Sequence, residues 1–187
     1  METGEKHFSA IILAGGKGKR VGGQDKGLLP YKNKTLVKHV IDAVEPLANE
    51  IIISANRNIK NYEAYGYRVV PDTDNNYQGP LAGLAAALPY CRNKKIFITP
   101  CDMPLLSIEV FQQLSNGLKE QSLCIAEADN KLQPVFLMNM KLLASIEQFL
   151  KNDQLRLMQW AKAQQPNIAR FPASNYFRNF NSINDFQ

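Results

Sequence analysis

A glycine-rich segment with several cationic side chains is the part of the chain that most clearly indicates chemistry. It spans residues 13–27 and reads LAGGKGKRVGGQDKG, with four lysines and arginines. Glycines let backbone N–H groups come close to phosphate oxygens, and Lys and Arg neutralise the charge that develops when pyrophosphate leaves. The segment therefore predicts a polyphosphate site, the alternative being a basic loop exposed to solvent.

Two common phosphate-binding motifs do not fit this segment. The Walker motif needs a Gly-Lys pair followed by Ser or Thr, and no Gly-Lys pair of the chain is followed by either. Residues 16–21 imitate G-x-G-x-x-G, but Val21 stands at the third glycine, where close helix packing is needed. P-loop chemistry is therefore disfavoured, and the partial dinucleotide match carries little weight.

A second candidate group is the carboxylate of Asp102. It follows an apolar run at residues 96–99, so it should emerge at the carboxyl end of a strand, where ligands of parallel α/β sheets bind. Mg²⁺ is held by one or two carboxylates and bridges phosphoryl oxygens, so a single aspartate can suffice. The alternative is a turn or capping residue, because Asp before x-Pro is common in turns.

Strands and helices alternate in the half of the chain that carries these groups. Apolar runs predict strands at residues 8–13, 50–54, 67–70 and 95–99. Helical spacing of apolar residues predicts a helix after Thr35, a potential N-cap, and residues 81–88 read as a second helix with Pro80 in its first turn. The alternation predicts an α/β fold with a three-layer, doubly wound, mostly parallel sheet and helices on both faces.

The second half of the chain is less regular. Helices are predicted at residues 108–118, with Ser107 as the cap, and at 141–150, and strands at 123–127, 134–138 and 167–171. No internal repeat, low-complexity tract or linker interrupts the pattern. We therefore expect residues 1–187 to form one domain.

The net charge of +5 is concentrated near the N-terminus. Residues 1–40 hold eight Lys and Arg against three acidic residues, whereas residues 41–187 hold fourteen of each. A local positive field suits a ligand with several phosphates. A basic RNA-binding module would share this charge, but aromatic residues are not interleaved with the lysines, so no nucleic acid partner is expected.

The remaining composition predicts a cytoplasmic protein without membrane association. Residues 1–10 contain no apolar leader core, and no later apolar run approaches the ~20 residues that span a bilayer. Three cysteines without a C-x-x-C pattern disfavour a disulfide framework or a zinc site. His7 and His39 have no partners at metal-ligand spacing.

These motifs resemble the molybdenum cofactor guanylyltransferase family. The similarity starts with Leu-Ala-Gly-Gly at residues 13–16, Arg20, Gly-Gly at 22–23 and Asp-Lys-Gly-Leu at 25–28. It continues in the order and spacing of the family at residues 54–57, 70–72, 79–83, 101–104, 133–134 and 179–181. Nearly the whole chain is covered.

The resemblance implies a function as well as a fold. The implied fold is a nucleotide-diphospho-sugar-transferase-like, single nucleotidyltransferase domain over residues 1–187. The implied reaction is Mg²⁺-dependent transfer of GMP from GTP to the phosphate of molybdenum-bound molybdopterin, with release of pyrophosphate. Transient contacts with proteins of cofactor biosynthesis or insertion are implied too.

The resemblance also carries roles over to matching residues. Arg20, Lys26 and Asp102 would be catalytic, with Lys26 pairing with the phosphates and Asp102 holding the metal. The GTP-binding residues would be Leu13, Ala14, Gly15, Gly16, Lys26, Ser54, Asn56, Asp72, Gly79, Pro80 and Asp102. Ser54 stands where the family often has Asn, so a hydrogen bond to guanine or ribose is either lost or passed to Asn56.

The molybdopterin side of the site is assigned to Arg156, Asn179 and Asn181. An anionic pterin phosphate needs cationic and amide donors, which these side chains supply. Surface charge and strand-end turns are the alternative roles for them. Gln133 stands where the family frequently has a histidine.

Two further functions remain open at this point. A relative that uses CTP or a sugar phosphate would share the first loop, but such proteins more often have Ala-Ala-Gly and a single glycine after Arg-Met. The glycine pairs at residues 15–16 and 22–23 favour a guanylyltransferase. A non-catalytic nucleotide-binding cofactor carrier is the other possibility, and the retention of Lys26 and Asp102 argues against it.

Overall fold

A seven-stranded sheet forms the centre of the fold. The computed structural model describes residues 7–16, 23–72, 79–119, 121–172, 175–181 and 185. Within them the strands are β1 (Phe8–Leu13), β2 (Pro30–Tyr31), β3 (Lys34–Thr35), β4 (Ala48–Ser54), β5 (Arg68–Val70), β6 (Lys95–Pro100), β7 (Leu123–Ala128), β8 (Lys131–Asn139) and β9 (Asn167–Phe171). The sheet order is β5-β4-β1-β6-β8-β7-β9, and β2 pairs with β3 in a separate hairpin.

Strand direction determines where a ligand can bind. All strands of the large sheet run the same way except β8, which is antiparallel to both β6 and β7. The carboxyl ends of β1, β4, β5 and β6 therefore meet at one edge, at Leu13, Ser54, Val70 and Pro100. Chain order reverses at β1, whose neighbours are β4 and β6, and such a switch point opens a crevice at the carboxyl edge.

Helices cover both faces of the sheet. They are α1 (Leu36–Val44), α2 (Ile59–Glu63), α3 (Pro80–Ala87), α4 (Ile108–Gly117), α5 (Leu143–Lys151) and α6 (Leu157–Ala163). Alternate residues of β1 point to opposite cores: Ala10 and Ile12 join α1 and α4, whereas Ile11 and Leu13 join α3, α5 and α6. Each fully buried side chain of Ile or Leu size contributes roughly 1.5–3 kcal/mol.

The predicted three-layer, doubly wound, mostly parallel architecture is confirmed. All the predicted strands and helices are present, with ends that differ by a few residues. The prediction missed α2, α6 and the hairpin of β2 and β3. No helix of the described residues has the length and apolar character needed to cross a membrane.

The predicted N-cap positions are confirmed, but the side chains do not cap the helices. Thr35 and Ser107 occupy the N-cap positions of α1 and α4, but neither side chain makes a capping hydrogen bond. The hydroxyl of Thr35 lies 2.7 Å from the hydroxyl of Tyr65 instead. At Ser107 the backbone carbonyl accepts the hydrogen bond from Val110 N, at 3.2 Å.

Candidate active site

The loop that leaves β1 is fixed between the ends of the neighbouring strands. Ala14 N donates to the carbonyl of Ser54 at 2.7 Å, and Cys101 N donates to the carbonyl of Leu13 at 3.1 Å. These bonds continue the sheet pairing past the strand ends, so the start of the loop is held rigidly.

The two glycines that follow differ in their surroundings. A Cβ atom on Gly15 would lie 3.2 Å from Nδ2 of Asn56, whereas one on Gly16 would meet no atom of the described residues within 4 Å. The predicted catalytic residue Arg20 belongs to residues 17–22, which lie outside the described residues.

Three side chains from distant parts of the chain meet beyond the end of β6. The ammonium of Lys26 lies 3.4 Å from Oδ2 of Asp102, 76 residues away. It also donates a hydrogen bond to Oδ1 of Asn181, 155 residues away. The side chains of Lys26 and Asp102 are 20% and 18% exposed, so both remain open to a ligand from one side.

Burial determines the electrostatics of this cluster. Burial raises the pKa of Asp102 above its ordinary value, although the nearby Lys26 ammonium opposes the increase. A carboxylate whose charge is only partly compensated, at the carboxyl edge of a parallel sheet, is a typical feature of a ligand site.

The C-terminal segment is attached to the same place. Phe180 N donates to the carbonyl of Asp102 at 2.9 Å, and the Phe180 ring packs edge-on against Tyr31, with centroids 4.6 Å apart. Asn181 N donates to Oδ2 of Asp185 at 2.9 Å. These bonds place the Asn181 amide against Lys26.

The residues predicted for the molybdopterin side do not all meet. Asn181 lies against Lys26, and Asn179 is exposed two positions earlier. Arg156 is exposed at the start of α6, and within the described residues no hydrogen bond or ion pair joins it to Lys26 or Asn181. Its neighbour Leu155 lies beside α3, because the Leu155 carbonyl is 3.5 Å from the position of a Cβ on Gly79.

A second group of polar side chains lies beyond β4 and β5. Asn56 Nδ2 donates to Oδ2 of Asp72 at 2.7 Å, and Asp72 N donates to Oδ1 of Asn56 at 2.7 Å. This reciprocal pair joins the loops that follow the two strands. Burial raises the pKa of Asp72, and the hydrogen bond from Asn56 opposes the increase.

Helix α3 approaches this group through glycine. A Cβ on Gly83 would lie 2.4 Å from Oγ of Ser54 and 3.0 Å from Oδ1 of Asp72, so a larger residue would clash there. Gly79, just before Pro80 begins α3, has φ of 93°, which favours glycine. The structure thus brings Ser54, Asn56, Asp72 and the start of α3 together.

Sequence reasoning missed the buried hydrogen-bonded residues that hold the backbone next to Lys26. Asp25 is buried; Tyr62 Oη donates to its Oδ1 at 2.6 Å, and Asn58 Nδ2 donates to its Oδ2 at 3.1 Å. A Cβ on Gly27 would lie only 2.3 Å from the Tyr62 hydroxyl. The signal available in the sequence was Asp25 itself, a carboxylate inside a cationic loop. A phosphate site formed by lysines does not need such a carboxylate.

The donor set fits a magnesium ion better than a transition metal. Among the described residues there is no group of three or more His, Cys, Asp and Glu side chains that could hold a metal. Mg²⁺ takes one or two carboxylates and completes its shell with water and substrate phosphate. Asp102, open on one side, is a suitable carboxylate for that arrangement.

Fold and site together define an α/β nucleotide-binding protein. The start of the glycine-rich loop, the Lys26 ammonium and the Asp102 carboxylate lie at the carboxyl edge of a mostly parallel sheet, near its switch point. Residues 10–167 match the family model for the MobA-like NTP transferase domain. The chain belongs to this family, and it is a nucleotidyltransferase.

Relatives of known name agree with the resemblance found in the motifs, which is thereby confirmed. A molybdenum cofactor guanylyltransferase of Shewanella putrefaciens is 36% identical over 97% of this chain and 95% of its own length. The molybdenum cofactor guanylyltransferase of Haemophilus influenzae strain Rd is 36% identical over 96% of each chain. The molybdopterin-guanine dinucleotide biosynthesis protein A of Archaeoglobus fulgidus shares the fold, with a TM-score of 0.74 and 19% identity over 95% of this chain and 94% of that one.

Proposed function

We propose that the protein transfers GMP from GTP to the phosphate of molybdenum-bound molybdopterin and releases pyrophosphate. The observation that carries this proposal is the meeting of Lys26 with Asp102 and Asn181 at the carboxyl edge of the sheet. The names of the relatives support a guanine nucleotide as donor and the molybdenum cofactor as acceptor.

The two polar groups divide the nucleotide between them. Asn56, Asp72 and Ser54, beside Gly79 and Gly83, would hold the guanosine portion, because they offer an amide, a hydroxyl and one carboxylate at the start of α3. The loop from Leu13 to Gly16 and the Lys26 ammonium would hold the triphosphate.

The reaction is an in-line displacement at the α-phosphorus. An oxygen of the acceptor phosphate forms the new P–O bond, and the bond to the bridging oxygen breaks, so that pyrophosphate leaves with the electron pair. A phosphate monoester is largely ionised near neutral pH, so no side-chain nucleophile is needed. Lys26 would stabilise the negative charge on the leaving group.

Asp102 would hold a magnesium ion against the same phosphates. When bound, the ion supplies charge neutralisation to the triphosphate and the departing pyrophosphate. Asp102 and Lys26, 3.4 Å apart, would then act on the phosphates together. Asn181, with Asn179 beside it, would donate to the acceptor phosphate, and Arg156 would contact a more distant part of the acceptor.

The test is transfer of labelled α-phosphate from GTP, CTP, ATP and UTP to molybdopterin or, in parallel, to sugar phosphates, each with and without Mg²⁺. The proposal expects magnesium-dependent transfer confined mainly to GTP. Preference for CTP would move the protein to a cytidylyl activity, and transfer only to sugar phosphates would replace the acceptor. Nucleotide binding without transfer to either acceptor would indicate a carrier.

A further inference from the structure

Arg57 holds the backbone that leads into Lys26. Its Nη1 donates to the carbonyl of Gly23 and its Nη2 to the carbonyl of Gln24, each at 2.7 Å. Its Nε lies 3.6 Å from Oδ2 of Asp25. One guanidinium therefore contacts the three consecutive residues that precede Lys26, and we call this set of contacts the Arg57 latch.

The latch is anchored to rigid parts of the fold. Asn56, the residue before Arg57, is fixed by its reciprocal hydrogen bonds to Asp72. Asn58, the residue after it, donates to Asp25, and so does Tyr62, whose side chain is fully buried. The latch thus transmits the position of the β4–α2 connection to the loop that bears Lys26.

The way Arg57 uses its donors indicates positioning. Arginine presents a planar set of N–H groups that can hold two acceptors at once, which the ammonium of lysine cannot do. Both terminal nitrogens of Arg57 are bonded to backbone carbonyls, and its side chain is 25% exposed. Arg92, which pairs with Glu50, is 88% exposed, as expected for an ordinary surface ion pair.

We propose that Arg57 is a positioning residue that sets the place of the Lys26 ammonium at the phosphates, with Asp25 orienting its guanidinium. This rests on the proposed function, in which Lys26 contacts the triphosphate. The same connection carries Asn56 on the nucleoside side, so it also fixes the spacing between nucleoside and phosphates.

Removing the latch should slow transfer without removing any group that touches substrate. Misplacement of a reacting group by about 1 Å can cost about 10²-fold in rate, so we expect a loss of about that size in kcat/KM for GTP in Arg57→Ala and Arg57→Lys. The matched control is Arg92→Ala, at the opposite edge of the sheet, which should keep the parent kcat/KM.

Two measurements separate positioning from a purely structural role. Arg57→Ala leaves the buried Asp25 carboxylate without its cation and should lower the melting temperature. The double variant Asp25→Asn/Arg57→Ala removes both charges and should recover part of the lost melting temperature, the rest being lost because asparagine keeps only one of the two oxygens that accept from Tyr62 and Asn58. It should not recover transfer, because the carbonyls of Gly23 and Gln24 stay unbound. Methylguanidinium added to Arg57→Ala should restore part of kcat/KM, whereas methylammonium at the same concentration should not.

A double-variant cycle tests whether Arg57 acts through Lys26. In a Lys26→Ala background, Arg57→Ala should cost little further, because the ammonium it positions is gone. The proposal is overturned if the fold-decreases in kcat/KM of Lys26→Ala and Arg57→Ala multiply in full when the two are combined. It is also overturned if Asp25→Asn/Arg57→Ala recovers transfer together with stability.

Pyrophosphate binding keeps this test independent of the proposed function. If the parent protein transfers no GMP, the proposed function fails, and calorimetric binding of pyrophosphate with Mg²⁺ then tests the latch alone. Weaker binding in Arg57→Ala and parent-like binding in Arg92→Ala would support the latch. Equal binding in the parent and in Arg57→Ala would overturn it.

Discussion

A polar network surrounds a carboxylate at the amino edge of the sheet, where the parallel strands begin, and another does so at the carboxyl edge, where they end. The two networks differ in how completely their polar groups are hydrogen-bonded within the protein. At the amino edge, Glu50 accepts hydrogen bonds from the Ser9 hydroxyl at 2.7 Å and from Arg92 N at 2.8 Å. Asn93 Nδ2 donates to the same Ser9 hydroxyl at 3.1 Å. These hydrogen bonds join β1 and β4 to the residues just before β6, and they satisfy the buried Ser9 hydroxyl, as stability requires of buried polar groups.

At the carboxyl edge the carboxylate of Asp102 has a longer contact, 3.4 Å, with a lysine that is shared with Asn181. Burial raises its pKa in spite of that lysine. The difference teaches that the amino edge is built for stability, whereas the carboxyl edge leaves charge available to a ligand.

The largest effect expected from this comparison is loss of transfer on removing the carboxyl-edge carboxylate. Asp102→Ala should reduce kcat for GMP transfer by at least about 10²-fold, the usual loss when one preorganised electrostatic group is removed. The matched Glu50→Ala variant should keep kcat but lose about 1–3 kcal/mol of unfolding free energy, since Ser9 loses its acceptor. Steady-state kinetics and urea titration of both variants would contradict the comparison if their effects were exchanged.

A second test uses two helical glycines that lie near opposite edges of the sheet, Gly83 beside the carboxyl end of β4 and Gly117 beside the start of β7. In Gly83→Ala the new Cβ would lie 2.4 Å from Ser54 Oγ, and in Gly117→Ala it would lie 2.6 Å from Cys124 Sγ. Overpacking of this kind costs roughly 1–3 kcal/mol, although alanine is favoured in helices by about 1 kcal/mol. Thermal unfolding should show a loss in both.

Transfer should distinguish these two variants. Gly83→Ala displaces Ser54 and Asp72 and should raise KM for GTP, whereas Gly117→Ala should leave KM unchanged. Adding Ser54→Ala to Gly83→Ala removes the shorter contact and should recover part of the lost stability. No recovery would place the clash elsewhere.

The sequence predicted those helices and strands for which a single local pattern is enough. The apolar runs of β1 and β6 and the helical spacing of α1 predicted those elements. The antiparallel direction of β8 between β6 and β7 was not predicted, because strand periodicity carries no information on direction or order. Helices α2 and α6, of five and seven residues, are too short for a periodic signal.

The site followed from the sequence where the chemistry lies in side chains near strand ends. Asp102 was predicted in that way, whereas Lys26 was predicted from the cationic glycine-rich segment and the family resemblance; the structure places the two together. Arg57 was missed because the groups it binds are backbone carbonyls, which every residue has. The contact of Asn181 with Lys26 spans 155 residues, and only the assembled fold brings the two together.

A smaller effect is expected on the nucleoside side of the carboxyl edge. Asn56→Ala removes both hydrogen bonds to Asp72, and a hydrogen bond to a charged group contributes about 1.5–3 kcal/mol. Part of this loss should appear as an increase of about tenfold in KM for GTP, with kcat nearly unchanged. This pattern is expected when the lost interaction stabilises the bound substrate and the transition state equally. A fall in kcat with unchanged KM would instead place Asn56 among the groups that act on the transition state.

The smallest effect contrasts Asp72, at the carboxyl edge, with Asp42, which lies on α1 and bonds to Lys34 and Lys38. Burial raises the pKa of Asp72 above 3.8. At Asp42 burial acts in the same direction, but the two lysines outweigh it and lower the pKa below 3.8. Replacing each aspartate with asparagine should therefore change the free energy of unfolding in opposite directions at the two positions.

At pH 7 the folded protein bears the cost of an ionised Asp72, so Asp72→Asn should be more stable than the parent. The gain should shrink as the pH falls through the raised pKa, where the parent carboxyl becomes protonated. Asp42→Asn should be less stable at pH 7, and its deficit should vanish only as the pH falls through the lowered pKa. Urea titrations from pH 7 downwards measure both differences. A deficit in both variants at pH 7 would mean that Asp72 is stabilised as an anion, and the carboxyl edge would then resemble the amino edge in satisfying its own charge.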